Sequence, residues 1–212
     1  MEFDFVKISQ VVKCYEDEKR YNHTLYVTKE AYNLGKIFMP EKAEKLAIAG
    51  LLHDITKQVS FDKQIELCEK YGIDVDKNKV VPKLLHAKTG AFFAKELFGE
   101  QLVDDQVFDG IYFHTTGKEK MTLFQSIIYL ADYIEESRSF IDCVLLRKFF
   151  YDEIKNAHSY EQKINVLIKT MIESFNLTIR NLIDEGKEID FDTIKARNYF
   201  LVTDKIFVQG DE

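Results

Sequence analysis

The chain has 212 residues, 46% of them hydrophobic and 13% aromatic, with two prolines and nine glycines. That is enough apolar material for a sizeable core and too few turn-formers for a many-stranded sandwich or a disordered chain. A formal net charge of -7 disfavours non-specific nucleic-acid binding and admits a small anionic ligand only at a locally positive site.

Helical periodicity dominates from the first residues onward. "MEFDFVKISQ" (1–10) lacks the positive start and apolar core of a signal peptide, and residues 4–20 read as a first amphipathic helix. Residues 21–38 repeat apolar positions at Val27, Ala31, Leu34 and Phe38, a stripe of three-to-four spacing. Pro40 and Glu41 open a helix expected to run to about Thr56. Ser60 or Asp62 caps a helix that ends near Gly72. Pro82 begins another, carrying Phe92, Phe93 and Leu97. Further helices are expected over 104–114 and 121–137. From 143 onward come two or three more, one with the stripe Ile164, Leu167, Ile168, Met171, Phe175, Ile179, Leu182 that stops at Gly186, and a last one in "DFDTIKARNYFL". The final eight residues are expected to fray. No strand, hairpin or repeat signal stands out, and no apolar run is long enough to span a membrane. Three distant cysteines (Cys14, Cys68, Cys143) predict neither a disulfide framework nor a zinc ribbon and fit a reducing cytoplasm. The expected fold is all-α: one compact unit over 1–212, with a core at about 20–140 and buttressing helices at about 141–204.

Four of the five histidines fall on inward faces of different helices. His23 lies four before Val27; His53 continues Leu46, Ala49 and Gly50; His86 precedes Gly90, Phe93 and Leu97; His114 follows Val107 and Ile111. His158 has polar neighbours and serves as an internal control. Asp54, next to His53, and Asp132, within "IIYLADYI", are carboxylates at apolar positions, where an unpaired charge is costly. A single inward histidine is usually a hydrogen-bonded core residue. Six such groups on five helices converge only if something binds them, and a divalent cation is the simplest candidate. His23, His53, Asp54 and Asp132 make a set of two imidazoles and two carboxylates without thiolate. That set favours a six-coordinate iron, manganese or cobalt over structural zinc. His86 and His114 have two open roles: a second ion bridged by Asp54, or donation to phosphate.

The ordered set His23, His53-Asp54, His86, His114, Asp132 resembles the HD superfamily of metal-dependent phosphohydrolases. The strings "RYNHTLYV" (20–27), "AGLLHDITK" (49–57), "LLHAKTGA" (84–91), "FHTTGKEKMT" (113–122), "IIYLADYIEESR" (127–138) and "TIKARNYFL" (193–201) look like the YqeK family of bacterial HD proteins. The resemblance implies an all-helical HD fold and symmetrical cleavage of diadenosine tetraphosphate to two ADP, with iron or a similar metal. It implies metal ligands at His23, His53, Asp54 and Asp132, and nucleotide contacts at Arg20, His86, His114, Thr115 and Arg138. His23, Asp54 and Asp132 would then also face the substrate, with Asp54, His86 and His114 central to catalysis. Thr56 stands where a small apolar residue is expected, and Ala87 where glycine is common; both bear on substrate preference more than on the chemistry.

The implied partner is a small nucleotide, with a dinucleoside polyphosphate as substrate and ADP or GDP as product. Nucleic acid and membrane are not expected, and a homodimer is compatible with the sequence. Arg20, three before His23, shares its helical face and could fork onto phosphate, as could Arg138 at a helix end. Lys57 either assists them or faces water. Asp104, Asp105, Glu135 and Glu136 read as solvated faces, and Phe92-Phe93 and Phe149-Phe150 as core. Two other readings stay open: an HD hydrolase of a mononucleotide, nucleoside triphosphate or alarmone, and a non-catalytic nucleotide-sensing module.

Overall fold

A computed structural model describes residues 4–75 and 81–202. The described residues form ten α-helices and no strand. They are α1 (Phe5–Val12), α2 (Glu18–Phe38), α3 (Ala43–Leu52), α4 (Phe61–Tyr71), α5 (Leu85–Phe98), α6 (Asp105–Tyr112), α7 (Leu123–Ile134), α8 (Ile141–Asn156), α9 (Tyr160–Asp184) and α10 (Phe191–Val202). Single 3-10 turns at Pro40–Lys42 and Pro82–Leu84 lead into α3 and α5. The frayed end expected at 205–212 lies outside the described residues.

The helix pair α2 and α3 organises the centre. Val27, Ala31 and Leu34 on α2 and Leu46, Ala49, Leu51 and Leu52 on α3 have no exposed surface. Fully burying such an aliphatic side chain contributes roughly 1.5–3 kcal/mol. Small residues let the two backbones touch. A Cβ on Gly50 would lie 3.2 Å from the Cα of Thr28, and one on Gly35 would lie 2.8 Å from the Cα of Ala43. This close approach brings His23, near the start of α2, beside His53, at the end of α3. Helix α7 packs across the pair, while α5 and α6 close the side that carries His86 and His114. Helices α8, α9 and α10 pack in succession, with α9 also touching α7 and α2. Phe150, Phe175 and Phe200 extend the buried cluster into this C-terminal part.

Three expected helices end sooner than the sequence pattern suggests, each for a local polar reason. The segment 4–20 is not one helix. Asp17 is extended and its carboxylate accepts from Arg20 N at 2.8 Å, capping a new helix in place of continuing the old one. Helix α3 stops at Leu52, short of Thr56, because residues 53–58 wind into tight turns closed by Ile55 N→Leu52 O, Lys57 N→Asp54 O and Val59 N→Thr56 O. Helix α7 runs 123–134, inside the expected 121–137. Thr122 and Gln125 form a reciprocal cap at its start, and Glu135 turns extended at its end. The expected stop at Gly72 holds: this residue takes φ +66 and its N–H bonds back onto α4.

Candidate metal centre

The turns after α3 bring Asp54 into contact with groups from three other segments. Asp54 is 2% exposed. Its Oδ2 accepts from Arg20 Nη1 at 2.8 Å and lies 3.4 Å from His53 Nε2 and 3.9 Å from His23 Nε2. Its Oδ1 lies 3.0 Å from His86 Nε2 and 3.5 Å from His114 Nε2. Asp132, from the last turn of α7, places Oδ1 3.0 Å from His23 Nε2 and 3.8 Å from His53 Nε2. The imidazoles form a chain, with ring centres 5.4 Å apart for His23–His53, 5.0 Å for His53–His114 and 5.1 Å for His86–His114. His158, the control, is exposed at the α8–α9 junction.

In His53 and His114 the neutral ring turns a lone pair inward. A carbonyl oxygen only accepts, so the contacts of His53 Nδ1 with Gly50 O and His114 Nδ1 with Ile111 O, both 2.7 Å, put the proton on Nδ1 and leave Nε2 bare. In His23, Nδ1 faces Glu135 Oε1 at 3.0 Å, with the same consequence for the neutral ring. Backbone and carboxylate partners of this kind orient histidines that bind metal. Among the described residues, four buried side-chain atoms have no hydrogen-bond partner, and three of them meet here: His23 Nε2, His53 Nε2 and Asp54 Oδ1. Leaving a buried polar atom unsatisfied costs about 1–3 kcal/mol, and a cation among the three would satisfy all of them. Two overlapping groups have ligand atoms within 4.8 Å of one another: His23, His53 and Asp132, and His53, Asp54 and His114. The residues present therefore fit a divalent metal.

The electrostatics match. Burial alone would raise the pKa of both aspartates; the imidazoles around Asp54, and Arg138 with the histidines around Asp132, instead hold both well below the usual carboxylate range. Burial lowers His86 to about 4 and also lowers His114, against the opposing pull of Asp54. Burial opposes a charge on His23 too, but there the carboxylates of Asp132 and Glu135 prevail and raise it to about 9. A pH profile follows for the metal-free protein. The folded pKa of His86 lies below its ordinary 6.5, so the unfolded chain takes up the proton first. Stability therefore falls between pH 6.5 and about 4, by on the order of 3 kcal/mol from this residue. Asp54 and Asp132, depressed below 3.8, remove more below that pH. His23 acts in the opposite direction: its contribution is complete below pH 6.5 and fades as pH rises through about 9. Urea midpoints of metal-free protein at pH 4, 6.5 and 9.5 are expected to peak at 6.5. A flat profile would mean that these groups do not sit in the environments described.

The two arginines lie at the cluster but hold carboxylates. Arg20 binds Asp54, while Arg138 binds the Asp132 carboxylate through Nη2 and its backbone carbonyl through Nε at 2.9 Å. Both also line a cavity of about 420 Å³ that opens beside His23, with Lys19 and Phe140 on its other walls. Thr115 follows His114 in the chain and is half-buried; none of the hydrogen bonds described here ties it to the cluster.

Several residues at the site have roles their sequence positions did not suggest. Glu135, expected on a solvated face, is 1% exposed. Besides His23 it accepts from Ser137 Oγ at 2.7 Å and from Ser137 N. The extended turn after α7 folds its side chain back onto α2, whereas its neighbour Glu136 does stay exposed. Lys57 is half-buried, its Nζ 3.0 Å from His86 Nε2 and 3.8 Å from Asp54 Oδ1. Thr56 donates to His86 O at 2.9 Å and meets Thr89 Oγ1 at 3.0 Å, which ties the turn to the start of α5 and places His86. Glu16 is buried against Thr24. Of the phenylalanine pairs, Phe150 is buried as expected, but Phe149 is exposed. The one available signal for Glu135 was its place three residues after Asp132, on the same side of the helix.

With the geometry in place, the comparisons are consistent. The family described as HD domain matches residues 20–137, and the chain belongs to that family. Over 199 residues it is 31% identical to the symmetrical bis(5'-nucleosyl)-tetraphosphatase of Halalkalibacterium halodurans, covering 94% of this chain and 98% of that protein. Over 188 residues it is 29% identical to the protein of the same name from Staphylococcus aureus, covering 89% and 90%. A crystal structure of a predicted HD superfamily hydrolase involved in NAD metabolism from Clostridium acetobutylicum superposes with a TM-score of 0.81 at 36% identity, covering 95% of this chain and 98% of that one. No helix among the described residues is long and apolar enough to cross a membrane.

Proposed function

We propose that the protein hydrolyses diadenosine tetraphosphate symmetrically, giving two ADP, with iron as its metal. The observation that carries this reading is the meeting of three unpartnered buried atoms, His23 Nε2, His53 Nε2 and Asp54 Oδ1, beside a cavity walled by Lys19, Arg20 and Arg138. The names of the relatives supply the substrate.

In this reading His23, His53, Asp54 and Asp132 hold the cation. It supplies a nucleophile at neutral pH and positive charge against the phosphoryl oxygens. Imidazole and carboxylate donors without thiolate suit iron, and manganese or cobalt could replace it. The second group, His53, Asp54 and His114, would share Asp54 with a further ion. His86, paired with Lys57, is left to face phosphate.

Phosphoryl transfer depends mainly on positioning and charge neutralisation, and the cationic side chains provide both. Arg20 and Arg138 each have donors beyond those bound to carboxylate, and a guanidinium fork matches phosphate oxygens. Lys57 and the Thr115 hydroxyl add donors on the His86–His114 side. The overall negative charge of the protein is no obstacle, because exposed charges are screened beyond about 8–10 Å. Asp17 and Gln58, which bond reciprocally at 2.7 and 2.6 Å, fix the start of α2 against the turn that carries Lys57 and so keep Arg20 over Asp54. The free cysteines Cys14, Cys68 and Cys143 are consistent with work in the cytoplasm.

The test is product analysis with metal-loaded protein. ADP as the sole product from diadenosine tetraphosphate is expected. ATP and AMP in equal amounts would mean asymmetric cleavage and would reject the proposal. So would no turnover of this substrate alongside rapid hydrolysis of another nucleotide.

A further inference from the structure

Helix α8 carries one arginine, and its hydrogen bonds serve the turn after α7. Arg147 is half-buried and donates to three main-chain oxygens: Nη1 to Ile134 O at 3.2 Å and to Glu135 O, and Nη2 to Arg138 O at 3.0 Å. The oxygens of Ile134 and Glu135 stand at the C-terminal end of α7, where carbonyls lack partners within the helix and a cation is favoured. Four residues further along α8, Tyr151 donates to Glu30 of α2. Arg147 and Tyr151 therefore share the face that α8 turns toward α2 and α7.

The two oxygens held by Nη1 belong to the peptide planes on either side of the Glu135 Cα. A peptide unit is planar, so fixing both planes fixes φ and ψ of Glu135, at -57 and 153. These torsions take the chain out of the helix and lay the Glu135 carboxylate against His23 Nδ1 at 3.0 Å. The third oxygen, that of Arg138, holds the other end of the turn, and Arg138 N bonds to Glu135 O at 3.1 Å within it. A side chain on α8 thus sets the direction of a carboxylate that faces the cluster, while its own bonds go to the main chain.

We propose that Arg147 is a positioning residue for the metal centre: its fork fixes the backbone of Glu135, and through the Glu135 carboxylate it aims His23. This rests on the ligand set proposed above, in which His23 holds the cation. A guanidinium suits the task because two nitrogens in one rigid plane hold oxygens at two places, whereas a lysine offers a single nitrogen. The competing role is to dock α8 and nothing more, as the bond from Tyr151 to Glu30 does.

Calorimetric titration of the metal-free protein with manganese separates the two roles. It is run on wild type, Arg147→Ala, Arg147→Lys, Tyr151→Phe, Glu135→Gln and the double variant Arg147→Ala/Glu135→Gln, with a urea midpoint for each. Arg147→Ala is expected to weaken manganese about tenfold, within the range for losing a group that orients a ligating histidine. Tyr151→Phe loosens α8 without touching the turn; it is expected to lower the urea midpoint and change manganese affinity less than about twofold. The double variant is expected to bind manganese within about threefold of Glu135→Gln alone, because both changes break one chain of contacts. Arg147→Lys keeps the charge beside the end of α7, so its midpoint is expected to stay near that of wild type while manganese weakens at least about threefold. If Arg147→Ala does not fold, Arg147→Lys carries the test and the double variant is built on it. Wild-type manganese affinity in a folded Arg147 variant overturns the proposal, as do an equal loss in Tyr151→Phe and losses that multiply in the double variant. A wild type that binds no manganese rejects the ligand set itself, and this role of Arg147 with it. Failure of the hydrolase reading looks different: the wild type does not turn over diadenosine tetraphosphate, while the manganese titrations still decide the role of Arg147.

Discussion

Replacing Asp54 with alanine is expected to remove the bound metal and at least about a thousandfold of turnover together, because charge stabilisation of several kcal/mol at the reacting phosphate goes with the ion. Among the described residues Asp54 is the one carboxylate close to all four inward imidazoles, and its Oδ1 accepts no hydrogen bond. Without it the group of His53, Asp54 and His114 loses its aspartate, and His23, His53 and Asp132 lose the second carboxylate of the proposed four-ligand set. The helical CD spectrum is expected to survive. The apolar side chains that hold α2, α3 and α7 together, such as Val27, Leu34, Leu52 and Ile128, are fully buried and form the core cluster without Asp54. Turnover unchanged in a variant shown to hold no metal would overturn the catalytic role given to the ion.

The Glu135→Gln change is expected to weaken metal binding about 10- to 100-fold, the usual cost of losing a partner that orients a ligating histidine. Both Glu135 oxygens act as acceptors, Oε1 facing His23 Nδ1 and Ser137 Oγ and Oε2 facing Ser137 N. A glutamine amide must turn its NH2 toward one of those donors and leave it unpaired, at about 1–3 kcal/mol. His23 then loses the group that keeps its proton on Nδ1 and its Nε2 lone pair toward the cluster. The metal dependence separates this from general damage. Turnover of Glu135→Gln should approach the wild-type value as metal is raised, with the half-saturating concentration shifted upward. A lowered maximum with an unshifted metal curve would show that Glu135 does not act through His23.

The sequence located the inward groups better than it located what surrounds them. His23, His53, His86 and His114 stand on apolar stripes, and a stripe reports which way a side chain faces regardless of where the helix ends. Their meeting around Asp54 and Asp132 could thus be anticipated from spacing and composition. Glu135 was missed because its burial depends on one backbone torsion: at ψ 153 the chain leaves the helix and the side chain reverses. "YIEE" at a helix end reads otherwise as a solvated acidic face. The break at Asp17 comes from a polar side chain competing with the helix for a backbone group, and the early end of α3 from backbone turns that replace its last helical bonds. Arg20 and Arg138 were legible as cationic neighbours of the site, but not as partners of Asp54 and Asp132, since those pairings are set by the tertiary placement of α2, the turn after α3, and α7.

Anomalous scattering from crystals of protein loaded with iron, recorded on both sides of the metal edge, tests the central claim most directly. A peak is expected among His23 Nε2, His53 Nε2, Asp54 and Asp132, within bonding distance of these side chains. A metal-loaded, active crystal whose only peak lies away from these four side chains would contradict the account.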